Sequence, residues 1–424
     1  MQVAAAWRRL VHAPPLRLFV AFLVVYGLTA GPSLARHSLA PHYVYLAESF
    51  LHGRLDLIHI PAPPYDLTPV AGRWYVAFPP LPALLLLPAV ASWGLAVSDI
   101  AFSVLMGAGS VALFYLALAR AECSLALHWE RGTKTWLCVL LGLGSPLWYC
   151  AALGSVWYTA HVVAVVCLCL TMLEVFGRNR PWVAGLYIGL AFLARGPAVL
   201  AFPLPLALGL GRARTARGAL LFVLLFGLGL APMLAGQAAY NFARFGDPLE
   251  FGYRWMNSPD ALQARMRTWG QFSMHFLPEN LYTLTVRPPL LSWRPLHMAP
   301  DPWGMGLLFT MPALLLALRR RRATGTRWQR TINLGLWLSV ILVAAPSLLY
   351  FNTGSYQFGY RFALDWLPLG ILGVGIAAGA GLGRTGRALI IIGVLMYLWG
   401  VLWMYPNFNG QPWWTQYLGW LQSG

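Results

Sequence analysis

Long apolar runs alternate with short polar links along almost the whole chain. A helix that crosses a bilayer needs about 20 mostly apolar residues, and many of these runs approach that length. The pattern predicts an all-α, polytopic transmembrane helical fold of about eleven spans, forming a single transmembrane domain over residues 1–424. The expected spans are 16–35, 98–119, 135–152, 158–176, 182–194, 197–211, 218–240, 306–318, 331–350, 367–383 and 388–404.

Basic residues form clusters between the apolar runs. Because arginine and lysine in short loops concentrate on the cytoplasmic side, two successive clusters must enclose an even number of spans. The interval from Arg17 to Arg120 holds three apolar runs, so one of them cannot cross. We expect the proline-rich run 79–97 to lie on the outer face, because lipid cannot satisfy the backbone groups that proline leaves unpaired. The N-terminus is then cytoplasmic and the C-terminus lies outside.

Two outer loops are long enough to carry a site, residues 36–97 and 241–305. In the first loop, the segment from Tyr43 to His52 has the pattern of an amphipathic helix, and Gly53 suits its end. We therefore expect juxtamembrane helices in this loop. A third outer segment, 351–366, is short and rich in polar aromatic residues.

Composition supports a membrane protein. Hydrophobic residues make up 58% of the 424 residues and charged residues only 10%, and the mean hydropathy is +0.61. The 30 basic residues exceed the 13 acidic ones, but they punctuate apolar runs, so membrane topology explains them better than nucleic-acid binding. The composition indicates a multi-pass protein of the plasma (inner) membrane and excludes a soluble domain.

Four short stretches resemble one class of membrane enzymes. They are "HYVYLAESFLHG" (42–53), "GRWY" (72–75), "FPPLP" (78–82) and "LARGPAVL" (193–200). Their order resembles the GT-C class of glycosyltransferases, in particular the branch of protein O-mannosyltransferases and lipid A aminoarabinose transferases. The resemblance implies that Arg195, at an outer helix-to-helix turn, holds the phosphate of a lipid-linked donor. An arginine suits this role because it can bind phosphate with two hydrogen bonds.

The aspartate that acts as base in this family has no counterpart here. Its position falls on His42 or near Leu39 and Ala40, none of which is acidic. Transfer from a polyprenyl-phosphate sugar needs a proton acceptor near the acceptor hydroxyl. We expect Glu48 to serve first, because it lies on the predicted loop helix, and Asp56 or His42 otherwise. Asp66 is a further candidate base, although its surroundings in "PPYDLTP" favour a turn cap.

Other outer polar and aromatic residues could bind the substrate. Rings beside hydrogen-bonding groups are typical of sugar sites, although aromatic residues at an interface are more often part of a membrane belt. Arg361 is a second candidate for the donor phosphate, or it forms a structural ion pair with Asp365. The candidates for substrate binding are Trp157, His161, Asp301, Trp303, Tyr360 and Asp365.

The spacing of the histidines in the first loop does not predict a metal site, so no cofactor is required. A divalent cation, Mg²⁺ or Mn²⁺, is an alternative that the resemblance to oligosaccharyltransferases implies. The preferred interpretation is a membrane glycosyltransferase that moves a sugar from a polyprenyl-phosphate donor to a lipid, glycan or protein acceptor on the outer face. Two alternatives are a non-catalytic lipid-binding or assembly subunit and a polyprenyl-lipid flippase or transporter. Few charges lie within the spans and no repeat relates two halves, which disfavours the transporter.

Overall fold

The structure, a computed structural model, describes residues 13–293, 296–319, 326–354 and 356–409, and α-helices dominate it. The helices are α1 Pro14–Ala30, α2 His42–Leu51, α3 Leu81–Trp93, α4 Asp99–Ser124, α5 Thr133–Gly142, α6 Leu147–Leu153, α7 Ser155–Phe176, α8 Pro181–Ala194, α9 Pro203–Arg212, α10 Ala216–Phe245, α11 Asp260–Trp269, α12 Leu277–Thr285, α13 Leu307–Thr310, α14 Arg327–Leu349, α15 Leu367–Ala378 and α16 Gly383–Asn409. Short 3-10 helices cover Gly31–Ala35, Gly94–Ala96, Gly196–Ala201, Tyr253–Trp255, Met274–Phe276, Pro312–Leu318 and Arg361–Asp365. Two antiparallel hairpins, β1 Leu67–Val70 with β2 Arg73–Val76 and β3 Leu290–Trp293 with β4 Leu296–Ala299, lie in the long loops.

Within these described ranges, six helices are long and apolar enough to cross a membrane. Counted together as one broken span, α5 and α6 would make a seventh; they are bent by 52° where Pro146 precedes α6. Shorter apolar helices account for most of the remaining predicted spans. The predicted all-α, polytopic fold is confirmed, and the chain is an integral, multi-pass membrane protein.

The basic clusters meet at one end of the helix bundle. Arg212, at the end of α9, donates from Nη2 to Ser124 Oγ at 2.9 Å, where α4 ends. Arg387, near the start of α16, lies 3.8 Å from the carboxylate of Glu130. These contacts bring clusters that are far apart in sequence to the same end of the bundle, which we call the arginine end.

A buried aspartate marks the opposite end. Asp99, at the start of α4, accepts hydrogen bonds from the backbone N–H groups of Ser38 at 2.9 Å and Ser155 at 3.2 Å. The links after α1, before α4 and before α7 therefore meet at one end, which we call the loop end. Ser98 also donates to the Arg36 carbonyl at 2.7 Å. The segment 79–97 thus begins and ends at the loop end, and it does not run through the bundle.

The two long loops pack against each other at the loop end. Asn257 donates from its backbone to the Leu67 carbonyl at 2.8 Å, and the backbone N–H of Asp66 donates to the Asn257 carbonyl at 2.9 Å. Arg244, at the end of α10, donates to the Val76 carbonyl at 2.6 Å and so fixes β2. The loops therefore form one layer above the helices, and this layer positions the site.

Close helix packing supports that layer. A β-carbon on Gly229 of α10 would collide with the carbonyl oxygen of Trp182 in α8, and one on Gly185 of α8 would collide with the Phe226 carbonyl. The two helices therefore touch backbone to backbone, as small residues permit in membrane proteins. This contact fixes α8, whose last residue precedes Arg195.

Candidate functional site

A cavity of about 910 Å³ lies at the loop end, between the loop layer and the helices. Both long loops, the first turns of α7, the turn after α8 and the segment before α15 form its wall. Its charged and hydrogen-bonding side chains include Asp66, Trp157, His161, Arg195, Asn257 and Arg361.

Asp66 supplies a carboxylate to the cavity wall. It has a φ of +53°, a left-handed conformation that aspartate tolerates better than most residues, and its pairing with Asn257 holds this turn in place. The indole N–H of Trp157 donates to Asp66 Oδ2 at 2.7 Å. Burial raises the pKa of Asp66 to about 6. The Trp157 hydrogen bond and the positive charge of Arg361 lower this pKa and so oppose the effect of burial. Asp66 can therefore exchange a proton near neutral pH.

Arg195 lies where α8 ends. Its backbone is extended, and Gly196 and Pro197 then begin a 3-10 helix, so the side chain leaves the helix at the cavity. Nε and Nη2 of Arg195 donate to the carboxylate of Asp365 at 3.2 to 3.3 Å. The side chain remains 15% exposed, so the guanidinium can still meet an anion in the cavity.

Asp365 also binds His161, whose Nδ1 lies 2.7 Å from Asp365 Oδ1. The Asp365 side chain is 2% exposed and the His161 side chain is fully buried. Burial alone would raise the pKa of Asp365, but Arg195 and His161 lower it to about 2. Asp365 is therefore a carboxylate that holds two cavity residues, and it does not serve as a base.

Arg361 adds a second guanidinium to the cavity. Its Nη1 donates to the Gly354 carbonyl at 2.8 Å, and its guanidinium carbon lies 5.6 Å from the ring of Tyr158. Gly354 has a φ of +105°, which only glycine adopts readily. The segment before α15 thus places Arg361 on the cavity wall with Arg195.

The residues that we expected to act as the base lie elsewhere. Glu48 faces His59, whose Nδ1 lies 2.9 Å from its carboxylate, and Asp56 pairs with Arg54. That hydrogen bond lowers the pKa of Asp56, even though burial opposes it. Neither Glu48 nor Asp56 lines the cavity.

His42 is buried behind the cavity wall and bonds through Nε2 to the Tyr65 carbonyl at 2.6 Å. Burial lowers the pKa of His42 to about 4, against the effect of this hydrogen bond. A neutral His42 therefore donates to the turn that carries Asp66, and it touches the site only through that turn.

The predicted substrate-binding residues divide into two groups. Trp157 and His161 line the cavity, and Asp365 bonds two residues that do. The remaining three lie outside the wall: Asp301 accepts from Arg287 at 2.7 Å, Trp303 is exposed, and the hydroxyl of Tyr360 points to the Ser347 carbonyl.

Asp66 is a candidate base that the sequence pattern ranked below Glu48 and Asp56. Its neighbours in "PPYDLTP" are typical of a turn, and the structure does place it in a turn. Only the packing of Trp157 and Asn257 against that turn shows that its carboxylate faces a cavity.

The donor set does not fit a bound Mg²⁺ or Mn²⁺ ion. Such ions take several oxygen ligands, usually with one or more carboxylates. Across the part of the chain that the structure describes, no three histidine, cysteine, aspartate or glutamate side chains form a metal-binding group. On the cavity wall Asp66 is a lone carboxylate, and Arg195 and His161 already occupy Asp365.

Two solved structures are similar to the chain. One is ArnT from Cupriavidus metallidurans bound to undecaprenyl phosphate, with 13% identity over 92% of this chain and 76% of that chain, at a TM-score of 0.49. The other is the Archaeoglobus fulgidus oligosaccharyltransferase tethered to an acceptor peptide, with 14% identity over 95% of this chain and 57% of that chain, at a TM-score of 0.45. No protein-family model and no curated protein matches the chain. Both similar proteins belong to the GT-C glycosyltransferases, the class that the sequence motifs resemble, and the likeness concerns the fold alone.

Proposed function

We propose that this protein is a glycosyltransferase of the plasma (inner) membrane, which moves a sugar from a polyprenyl-phosphate donor to a lipid, glycan or protein acceptor. One observation carries the proposal: a single cavity holds the carboxylate of Asp66 together with the guanidinium groups of Arg195 and Arg361. Such a site combines a proton acceptor with cations for a phosphate leaving group.

The chemistry assigns a role to each group. As the acceptor oxygen bonds to the anomeric carbon, the bond from that carbon to the phosphate oxygen breaks, and the hydroxyl proton passes to Asp66. A pKa near 6 suits a base that works near neutral pH. Arg195 and Arg361 stabilise the negative charge that develops on the leaving phosphate.

The position of the arginine end supports an outer-face reaction. Basic residues in short links concentrate on the cytoplasmic side, so the arginine end is cytoplasmic and the loop end, with the cavity, faces outward. In this orientation the N-terminus is cytoplasmic, the C-terminus is outside, and a donor anchored in the outer leaflet reaches the cavity through its phosphate.

Binding of polyprenyl phosphate to the purified protein tests the proposal. We expect Arg195→Ala to weaken binding at least tenfold, because it removes a partly desolvated charge-assisted contact. Arg287→Ala is the matched control, since Arg287 also pairs with an aspartate but does not line the cavity. Equal affinity of the wild type and Arg195→Ala would refute the role of Arg195. Binding without sugar transfer to membrane acceptors would favour the non-catalytic, lipid-binding alternative.

A further inference from the structure

His161 lines the cavity and has a buried hydrogen-bonding atom without a partner among the described residues. Its Nδ1 bonds to Asp365, whereas Nε2 is buried and bonds to none of the residues that the structure describes. Burying such an atom without a partner is unfavourable, so its retention at a cavity points to a partner that arrives with a ligand.

Asp365 determines which kind of partner that is. A carboxylate can only accept, so Nδ1 of a neutral His161 carries the proton and Nε2 keeps its lone pair. Arg195 neutralises Asp365 already, so the buried pair does not need a second positive charge on His161. Nε2 is therefore an acceptor, and it suits a hydroxyl group better than the oxygens of a phosphate, which repel a lone pair.

The shared carboxylate also fixes where that hydroxyl lies. Because Arg195 and His161 bind the same carboxylate and both line the cavity, the two side chains are neighbours on the cavity wall. If the donor's phosphate lies on Arg195, the sugar carbon next to the phosphate is the anomeric carbon, and the nearest hydroxyl is the one on C2.

We propose that His161 Nε2 accepts a hydrogen bond from the C2 hydroxyl of the donor sugar. The substrate class is then a hexose or pentose with a free 2-hydroxyl, and 2-deoxy sugars are disfavoured. This inference rests on the proposed function, because it takes the position of the phosphate from Arg195.

The test compares the binding of two matched donor pairs. The probes are polyprenyl-phosphate glucose and mannose, each with its 2-deoxy counterpart, and plain polyprenyl phosphate as the reference. We expect the wild-type protein to bind at least one 2-hydroxy donor about five- to tenfold tighter than its 2-deoxy counterpart, the effect of one net hydrogen bond.

Two substitutions separate the nitrogens of His161. The amide of His161→Asn can replace Nδ1 towards Asp365 but leaves no acceptor at the position of Nε2, whereas His161→Gln can place an oxygen near that position. We expect His161→Asn to lose the preference for the 2-hydroxyl and to keep its affinity for plain polyprenyl phosphate. His161→Gln should retain part of the preference.

The outcomes distinguish this inference from the proposed function. No 2-hydroxyl preference in the wild type, or a preference that survives in His161→Asn, overturns the role of His161. Loss of plain polyprenyl phosphate binding in a folded His161→Asn protein also overturns it, because His161 would then contact the phosphate. If the wild-type protein binds none of the probes, including plain polyprenyl phosphate, the proposed function itself is refuted.

Discussion

Replacing Asp66 with asparagine should lower activity and raise stability at the same time. Burial raises the pKa of Asp66 from 3.8 to about 6, so the folded protein favours the protonated carboxyl. At about 1.36 kcal/mol for each pH unit, this difference corresponds to ~2–3 kcal/mol. The charged form that serves as the base is thus maintained at a cost in folding free energy.

Because folding raises the pKa of Asp66, the free energy of unfolding depends on pH. The unfolded chain ionises Asp66 near pH 3.8, and the folded chain ionises it near pH 6, so stability falls as the pH rises between these values and stays lower above them. Asp66→Asn removes this loss of stability, because asparagine does not ionise. We therefore expect the substitution to stabilise the protein by up to ~2–3 kcal/mol at pH 7 and to change little near pH 4. The asparagine oxygen can still accept from Trp157, which keeps the turn in place.

The assay measures two quantities on the same samples. Turnover of a polyprenyl-phosphate sugar should fall by about 10² or more in Asp66→Asn, the loss expected for a general base, and thermal unfolding in detergent should move to higher temperature at pH 7. In the wild type, turnover should rise about tenfold per pH unit below pH 6 and level off above it.

Asp56→Asn is the matched control for this experiment. Asp56 belongs to the same loop but pairs with Arg54, which lowers its pKa, so its substitution should give no gain in stability and no loss of turnover. Near-normal turnover in Asp66→Asn, or a loss of stability at pH 7, would refute the assignment of Asp66 as a partly buried base.

Three further predictions concern the surroundings of this site. Trp157→Phe removes the N–H that lowers the pKa of Asp66, so the acidic limb of the pH–turnover profile should move to higher pH; an unmoved limb would show that the indole does not act on Asp66. His42→Ala frees the Tyr65 carbonyl and should reduce turnover while polyprenyl phosphate binding persists. Glu48→Gln on the same helix should leave turnover within about twofold, since its hydrogen bond to His59 lies outside the cavity. Equal losses of turnover in both variants would show that Glu48 takes part in the reaction. Ser92→Cys in a Cys123→Ser background should react with an impermeant thiol reagent from outside, because Ser92 is exposed and its segment begins and ends at the loop end; labelling only from the cytoplasm would reverse the topology.

Local sequence determined much of the architecture. The length of each apolar run predicts a helix that crosses the membrane, because unpaired backbone groups are too costly in lipid. The arginine clusters predict which ends of the helices meet, and the contact of Arg387 with Glu130 brings two of them together. The sequence also indicated that Arg195 is a functional residue. A charged side chain at a Gly-Pro break between apolar helices has a high desolvation cost, so a functional role is expected.

The choice of the acidic residue depended on the tertiary structure. Glu48, Asp56 and Asp66 lie in one loop, and each is compatible with a base or with a surface position. What distinguishes them is the side chain that contacts each: Arg54 neutralises Asp56, whereas Trp157, 91 residues away, donates a hydrogen bond to the partly buried Asp66 at the cavity. Likewise His161 meets Asp365 across 204 residues, so neither its tautomer nor its free nitrogen could follow from local pattern. Local sequence fixes which segments are buried in lipid, but the pKa of a carboxyl depends on the dielectric and charges that distant segments bring to it.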